Sequence, residues 1–227
     1  MRGRSNPVHV VQENGRAISA RGAALVFGIL VVLAATAVTW RRVDDSAARA
    51  IAASETRMWK AYYQGDSRRL GMELFDLLRS QFGLTASQAM AVAEPLARAA
   101  MAFEDSLGDY ESSVLPHLER AYGALREASR RSFDVSDVAR AELSWWVARR
   151  TPGQDSPEEV GHRIALLYAA LYGAPKPEFE EAGLLRARAA LIRDRGGKNC
   201  DWAQVESLLV KSYQRLLKGA GKSWKAA

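Results

Sequence analysis

Glu159 and His162 stand in a Glu-x-x-His arrangement, a spacing that puts both side chains on one face of a helix. Helical bundles that hold a pair of iron or manganese ions use that motif twice and add a glutamate from each of two further helices. Here it occurs once. The chain has three histidines, His9, His117 and His162, and "PHLE" around His117 has the wrong order and spacing for a second copy. Glu159 also has a competing role as the third residue after Ser156 in a helix-capping signature. The pair is therefore read as structural, and no metal or cofactor is expected.

Other motifs are equally incomplete. "GAGKS" at residues 219–223 ends like a phosphate-binding loop, but Leu216 stands where that loop needs a glycine, and helical pattern precedes it in place of a strand. It reads as part of a basic tail, residues 219–227. Cys200 is the single cysteine, which excludes an internal disulfide and clustered-thiolate metal sites. No "GxSxG" elbow is present. "LFDLLRSQFGLTASQAMAVAEPLA" imitates a helix-turn-helix, yet its second helix is mostly alanine and methionine where base-reading polar groups would be needed. No catalytic residue and no small-molecule substrate emerge from these patterns.

"AELSWWVARR", residues 141–150, carries paired tryptophans and paired arginines. Neighbouring helical residues point about 100° apart, so Trp145 and Trp146 cannot both centre one narrow apolar stripe. One indole is expected to pack inside and the other to reach the surface. Trp59 and Tyr63 share a helix face at i, i+4. Arg149 and Arg150 can offset helix-end carbonyls, form ion pairs or meet anionic headgroups. These six residues form the expected partner-binding set, with a packed bundle core as the competing reading. Aromatic and arginine side chains are the types that dominate interface energetics.

Helices must position all of this. No stretch after Arg42 alternates with the period of a strand, and capping signals recur at Ser67, Thr85–Gln88, Asp134, Ser156–Glu159 and Asp201–Gln204. Glycines at 65, 83 and 173 act as stops, and Pro95 is expected to kink or divide one helix. The expectation is an all-α fold of about eight helices in a compact bundle over residues 41–218.

Ahead of it, residues 23–40, "AALVFGILVVLAATAVTW", carry no charge and would span about 27 Å as a helix. Leu25, Phe27, Ile29, Leu30, Val31 and Leu33 supply the apolar surface, and Trp40 with Arg41 and Arg42 suits a headgroup interface. A retained single-pass transmembrane helix is the leading reading. A signal peptide cleaved near "ATA" at 35–37 and a buried helix are the alternatives. Residues 1–22 form a basic tail, with Arg2, Arg4, Arg16 and Arg21 against Glu13. Those arginines favour an extracytoplasmic domain on the inner membrane, while Arg41 and Arg42 pull the other way. The net charge of +6 is spread too thinly for a nucleic-acid reader.

"ETRMWKAYY", "LLRSQFGL", "FDVSDVARAELSWWVARR" and "EVGHRIALLYAALYG" together resemble a family of mostly helical bacterial proteins with an N-terminal hydrophobic anchor. The resemblance implies fold and anchoring over most of residues 40–217, and no activity or site residue. The functional expectation is an accessory or scaffold subunit of a membrane complex, in contact with the lipid bilayer and with membrane-protein partners. A tethered ligand-binding or metal-binding bundle and an envelope-associated nucleic-acid or regulatory adaptor stand as alternatives.

Overall fold

Side-chain caps start most of the helices. Asp134, Ser156 and Asp201 each accept a hydrogen bond from the backbone N–H three residues on, at 2.9, 3.2 and 3.0 Å. Thr85 and Gln88 form a reciprocal capping box. Each such cap contributes about 1 kcal/mol. The cap of the second helix is Asp66, whose Oδ1 accepts from the N–H of Arg69; Ser67 is already the first helical residue.

The computed structural model describes residues 45–106 and 108–223. The α-helices there are α1 (Asp45–Tyr63), α2 (Ser67–Phe82), α3 (Ala86–Asp105), the one-turn α4 (Tyr110–Ser113), α5 (Leu115–Ser129), α6 (Val135–Arg150), α7 (Pro157–Tyr172), α8 (Glu180–Gly196) and α9 (Trp202–Ser223). The all-α expectation holds. The anchor residues Leu25 to Trp40 lie outside the described residues, and among the described ones no helix is long and apolar enough to cross a membrane.

Of the two outcomes expected at Pro95, division is excluded: α3 runs unbroken through it. A proline removes a single ladder hydrogen bond, and the buried ring of Pro95 is held by the packing of that face. One expectation needs correction, at the C-terminal end. Residues 219–223 belong to α9, and Gly219 and Ala220 are buried. A Cβ on Gly219 would lie 2.7 Å from the carbonyl oxygen of Glu178, so a glycine is needed where this helix meets the start of α8.

The helices close a ring. Each long helix packs on the next, with α3 passing to α5 across the short α4, and α9 returns to pack on α1. Neighbours run antiparallel. Glu55, midway along α1, meets Tyr213 of α9, while Tyr63 at the C-terminal end of α1 meets Trp202 at the start of α9. The C-termini of α1, α3, α6 and α8 therefore gather at one end, here the far end. The opposite, near end holds the N-terminus of α1, the C-terminus of α9 and the connections 83–85, 130–134 and 173–179.

Glycines bring α7 and α8 together. A Cβ built on Gly183 would lie 2.2 Å from the carbonyl oxygen of Gly161, and one on Gly161 would lie 2.8 Å from Cα of Leu184. Bare backbone on both sides permits this approach, and it sets the depth at which Tyr168 and Arg186 enter the ring.

Candidate functional site

Six helices send polar or aromatic side chains into the middle of the ring. Arg186 of α8 is 2% exposed and pairs with Glu55 of α1, which is 0% exposed. Its Nη1 also donates to the hydroxyl oxygen of Tyr168 at 3.1 Å. The Tyr213 hydroxyl donates to the second oxygen of Glu55. Glu142 of α6, likewise fully buried, accepts from the Tyr122 hydroxyl and from Nε1 of Trp146, both at 2.9 Å. The guanidinium of Arg186 lies 5.7 Å from the ring of Trp145, which meets Trp146 edge-on at 6.3 Å.

One arginine thus serves two buried carboxylates. Burial pushes the Glu142 carboxyl up to about 7, against the pull of Arg186, Tyr122 and Trp146. Burial also raises Glu55, opposed chiefly by Arg186. Transferring charges out of water costs several kcal/mol each, so these groups persist only because they are hydrogen-bonded to one another. The arrangement ties α1, α5, α6, α7, α8 and α9 together through side chains of defined geometry.

The expectation that one of Trp145 and Trp146 reaches the surface is overturned: both are 1% exposed, and Trp59 is 0% exposed. The physical reason is the ring. α6 packs between α5 and α7 while also facing the centre, so its buried arc is wide enough for two adjacent indoles. These three tryptophans cannot touch a partner directly.

Tyr63 and Arg149 do come together, at the far end, where Arg150 also lies but contacts other residues. The Tyr63 hydroxyl donates to Oδ1 of Asp194 at 3.2 Å, and Arg149 pairs with Oδ2 of the same carboxylate. The guanidinium of Arg193 stacks 3.4 Å from the Tyr63 ring centroid. Arg150 donates at 2.6 Å to the carbonyl of Phe103 and lies 4.1 Å from that ring, so it caps α3 instead of its own helix. The terminal carbonyls of a helix attract cations, and several helices end here.

Beside this cluster a cleft of about 520 Å³ opens between the α6–α7 connection and α8. Pro157, Val160 and Leu191 form apolar wall, and Arg149, Asp155, Asp194 and Arg195 bring both signs of charge. Asp194, Asp155 and Arg195 were not singled out from the sequence. Charged residues at helix ends are common, and nothing in their spacing marks them. His162 and Glu159 do not converge: His162 faces Lys176 at 3.1 Å, and Glu159 pairs with Arg163. Among the described residues no three His, Cys, Asp or Glu side chains are grouped to hold a metal ion. Cys200 is half-buried, and desolvation raises its thiol.

No family model, no curated protein and no solved structure matches this chain.

Proposed function

We propose that the chain is a membrane-anchored accessory or scaffold subunit whose far-end cleft receives a partner within a membrane complex. The observation that carries this reading is the contrast between a centre sealed from solvent, with Arg186, Glu55 and Glu142 bonded inside the ring, and a far-end cleft with apolar wall and mixed charge. Mixed polar and apolar lining suits a segment of protein, which offers side chains of each kind. The uncharged run at residues 23–40, ending four residues before α1, supports a tether. Confinement to a membrane raises the effective concentration of a domain toward partners in the same bilayer. Tethering then supplies encounter, and the cleft supplies specificity.

A photo-crosslinking residue in place of Arg195, exposed on the cleft wall, tests this in native membranes. The expected result is a discrete adduct absent when the same probe replaces the exposed Arg120 on α5. Identical adduct patterns from both positions would contradict the reading.

A further inference from the structure

The near end of the ring is electrostatically unlike the far end. Among the described residues, Arg49, Arg126, Arg130 and Lys218 are exposed there and form no salt bridge. Near-end acids are largely engaged: Glu180 pairs with Lys176, Glu181 with Arg215, and Asp134 caps α6. Glu127 and Asp137 are the exposed exceptions. The far end instead exposes Glu104, Asp105, Asp109 and Asp155, along with the cations Arg68, Arg195 and Lys198.

Topology adds to the asymmetry. Closure of the ring by antiparallel α9 on α1 returns the C-terminus to the end from which the N-terminal segment departs. In the sequence, Arg41, Arg42 and Asp44 precede α1, and Lys225 follows α9. Four residues, 41–44, separate the uncharged run from α1, a reach of at most about 14 Å.

Resting on the anchored reading above, we propose that the near end of the ring is a docking surface for anionic lipid headgroups, which stands the domain upright with its cleft turned away from the bilayer. The argument is charge complementarity at a surface the tether already holds close. Each basic residue near an anionic membrane shifts the equilibrium by about fivefold, and salt at 1 M contracts the field to about 3 Å. A tether alone would leave the domain free to tilt, so that the cleft would spend time facing lipid. Docked by its basic end, the ring presents the cleft at full height.

The test uses the full chain in vesicles of phosphatidylcholine, with or without about one third phosphatidylglycerol, and a nickel-chelating headgroup lipid that relaxes nearby nitroxide labels. In a Cys200→Ser background, one label goes on Ser132→Cys at the near end and another on Lys198→Cys at the far end; both positions are exposed. With the anionic lipid, the Ser132 label should relax several-fold faster than the Lys198 label. That ratio should fall in 1 M salt and on Arg130→Glu with Lys218→Glu, while the chain stays with the vesicles. Equal relaxation of the two labels overturns the proposal, as does a ratio indifferent to lipid charge, salt and charge reversal. Failure of the chain to float with either vesicle removes the anchored reading itself, and this proposal with it.

Discussion

The centre of the ring and its far end are built from the same residue types, arginine, carboxylate and aromatic rings, yet they differ in what is left over. In the centre, Arg186, Glu55 and Glu142 are at most 2% exposed and bond to residues from other helices. At the far end, Arg149 and Asp194 are paired but also line a cleft open to solvent, with Arg195 and Asp155 beside them. The first region is sealed inside the fold. The second leaves charged side chains on a cleft that opens to solvent. Residue type alone does not separate a sealed cluster from an open one; position in the ring does.

The comparison breaks most strongly at Arg186. Arg186→Ala leaves two carboxylates buried without their cation, and a loss of about 3–5 kcal/mol in denaturant unfolding is expected. Replacing the pair together, Glu55→Gln with Arg186→Met, should recover part of that loss, because of the two carboxylates only Glu142 is then left without the cation. Recovery of nothing would show that packing, and not the ion pair, is decisive there.

Glu142 gives the next largest effect. Its carboxyl is raised from an ordinary 4.5 to about 7 in the fold, so folding takes up a proton between those values. The associated stability is fully present below about pH 4.5 and declines as pH rises through 7. The span is about 3 kcal/mol. Unfolding midpoints measured from pH 5 to 8 should fall, and Glu142→Gln should flatten most of that slope. A wild-type slope unchanged by the substitution would place the titration elsewhere.

Gly183→Ala sharpens the contrast from the packing side. The new methyl would collide with the carbonyl of Gly161, and overpacking of this kind costs about 1–3 kcal/mol. A stability change under a few tenths of a kcal/mol would mean that α7 and α8 slide apart freely. Smallest is Arg150→Ala at the far end, which removes the cap on α3 and should cost about 1 kcal/mol, leaving the central network intact. Loss of near-ultraviolet tryptophan ellipticity in that variant would show that the two regions are coupled.

Much of the helical order was legible because capping is local chemistry. Asp134, Ser156 and Asp201 announced their helices, and Gly83 and Gly173 ended theirs, within a few residues of sequence. Ring closure was not legible, since it depends on α9 meeting α1 across most of the chain. That missing fact explains the error over Trp145 and Trp146: a helix in an open bundle has one inward face, whereas α6 is covered on several. Arg186 was invisible for the same reason, lying among Ala182, Gly183, Ala187 and Ala190, where an arginine reads as the exposed side of a helix. Glu142 had a signal that could have been used. It precedes Trp145 and Trp146 by three and four residues, placing a carboxylate within reach of an indole N–H on an aromatic face. At the far end, the meeting of Tyr63 and Arg149 on Asp194 spans too much sequence for any local pattern to foretell.

The account stands or falls on whether this chain lives in a membrane assembly. Full-length protein taken from its native membranes in mild detergent should run well above its 24.9 kDa mass after allowance for the detergent, and Asp155→Arg with Arg195→Glu should shift it toward the monomer. Recovery of the intact chain from the detergent-free supernatant, or as a monomer that the charge swap leaves unchanged, would contradict it.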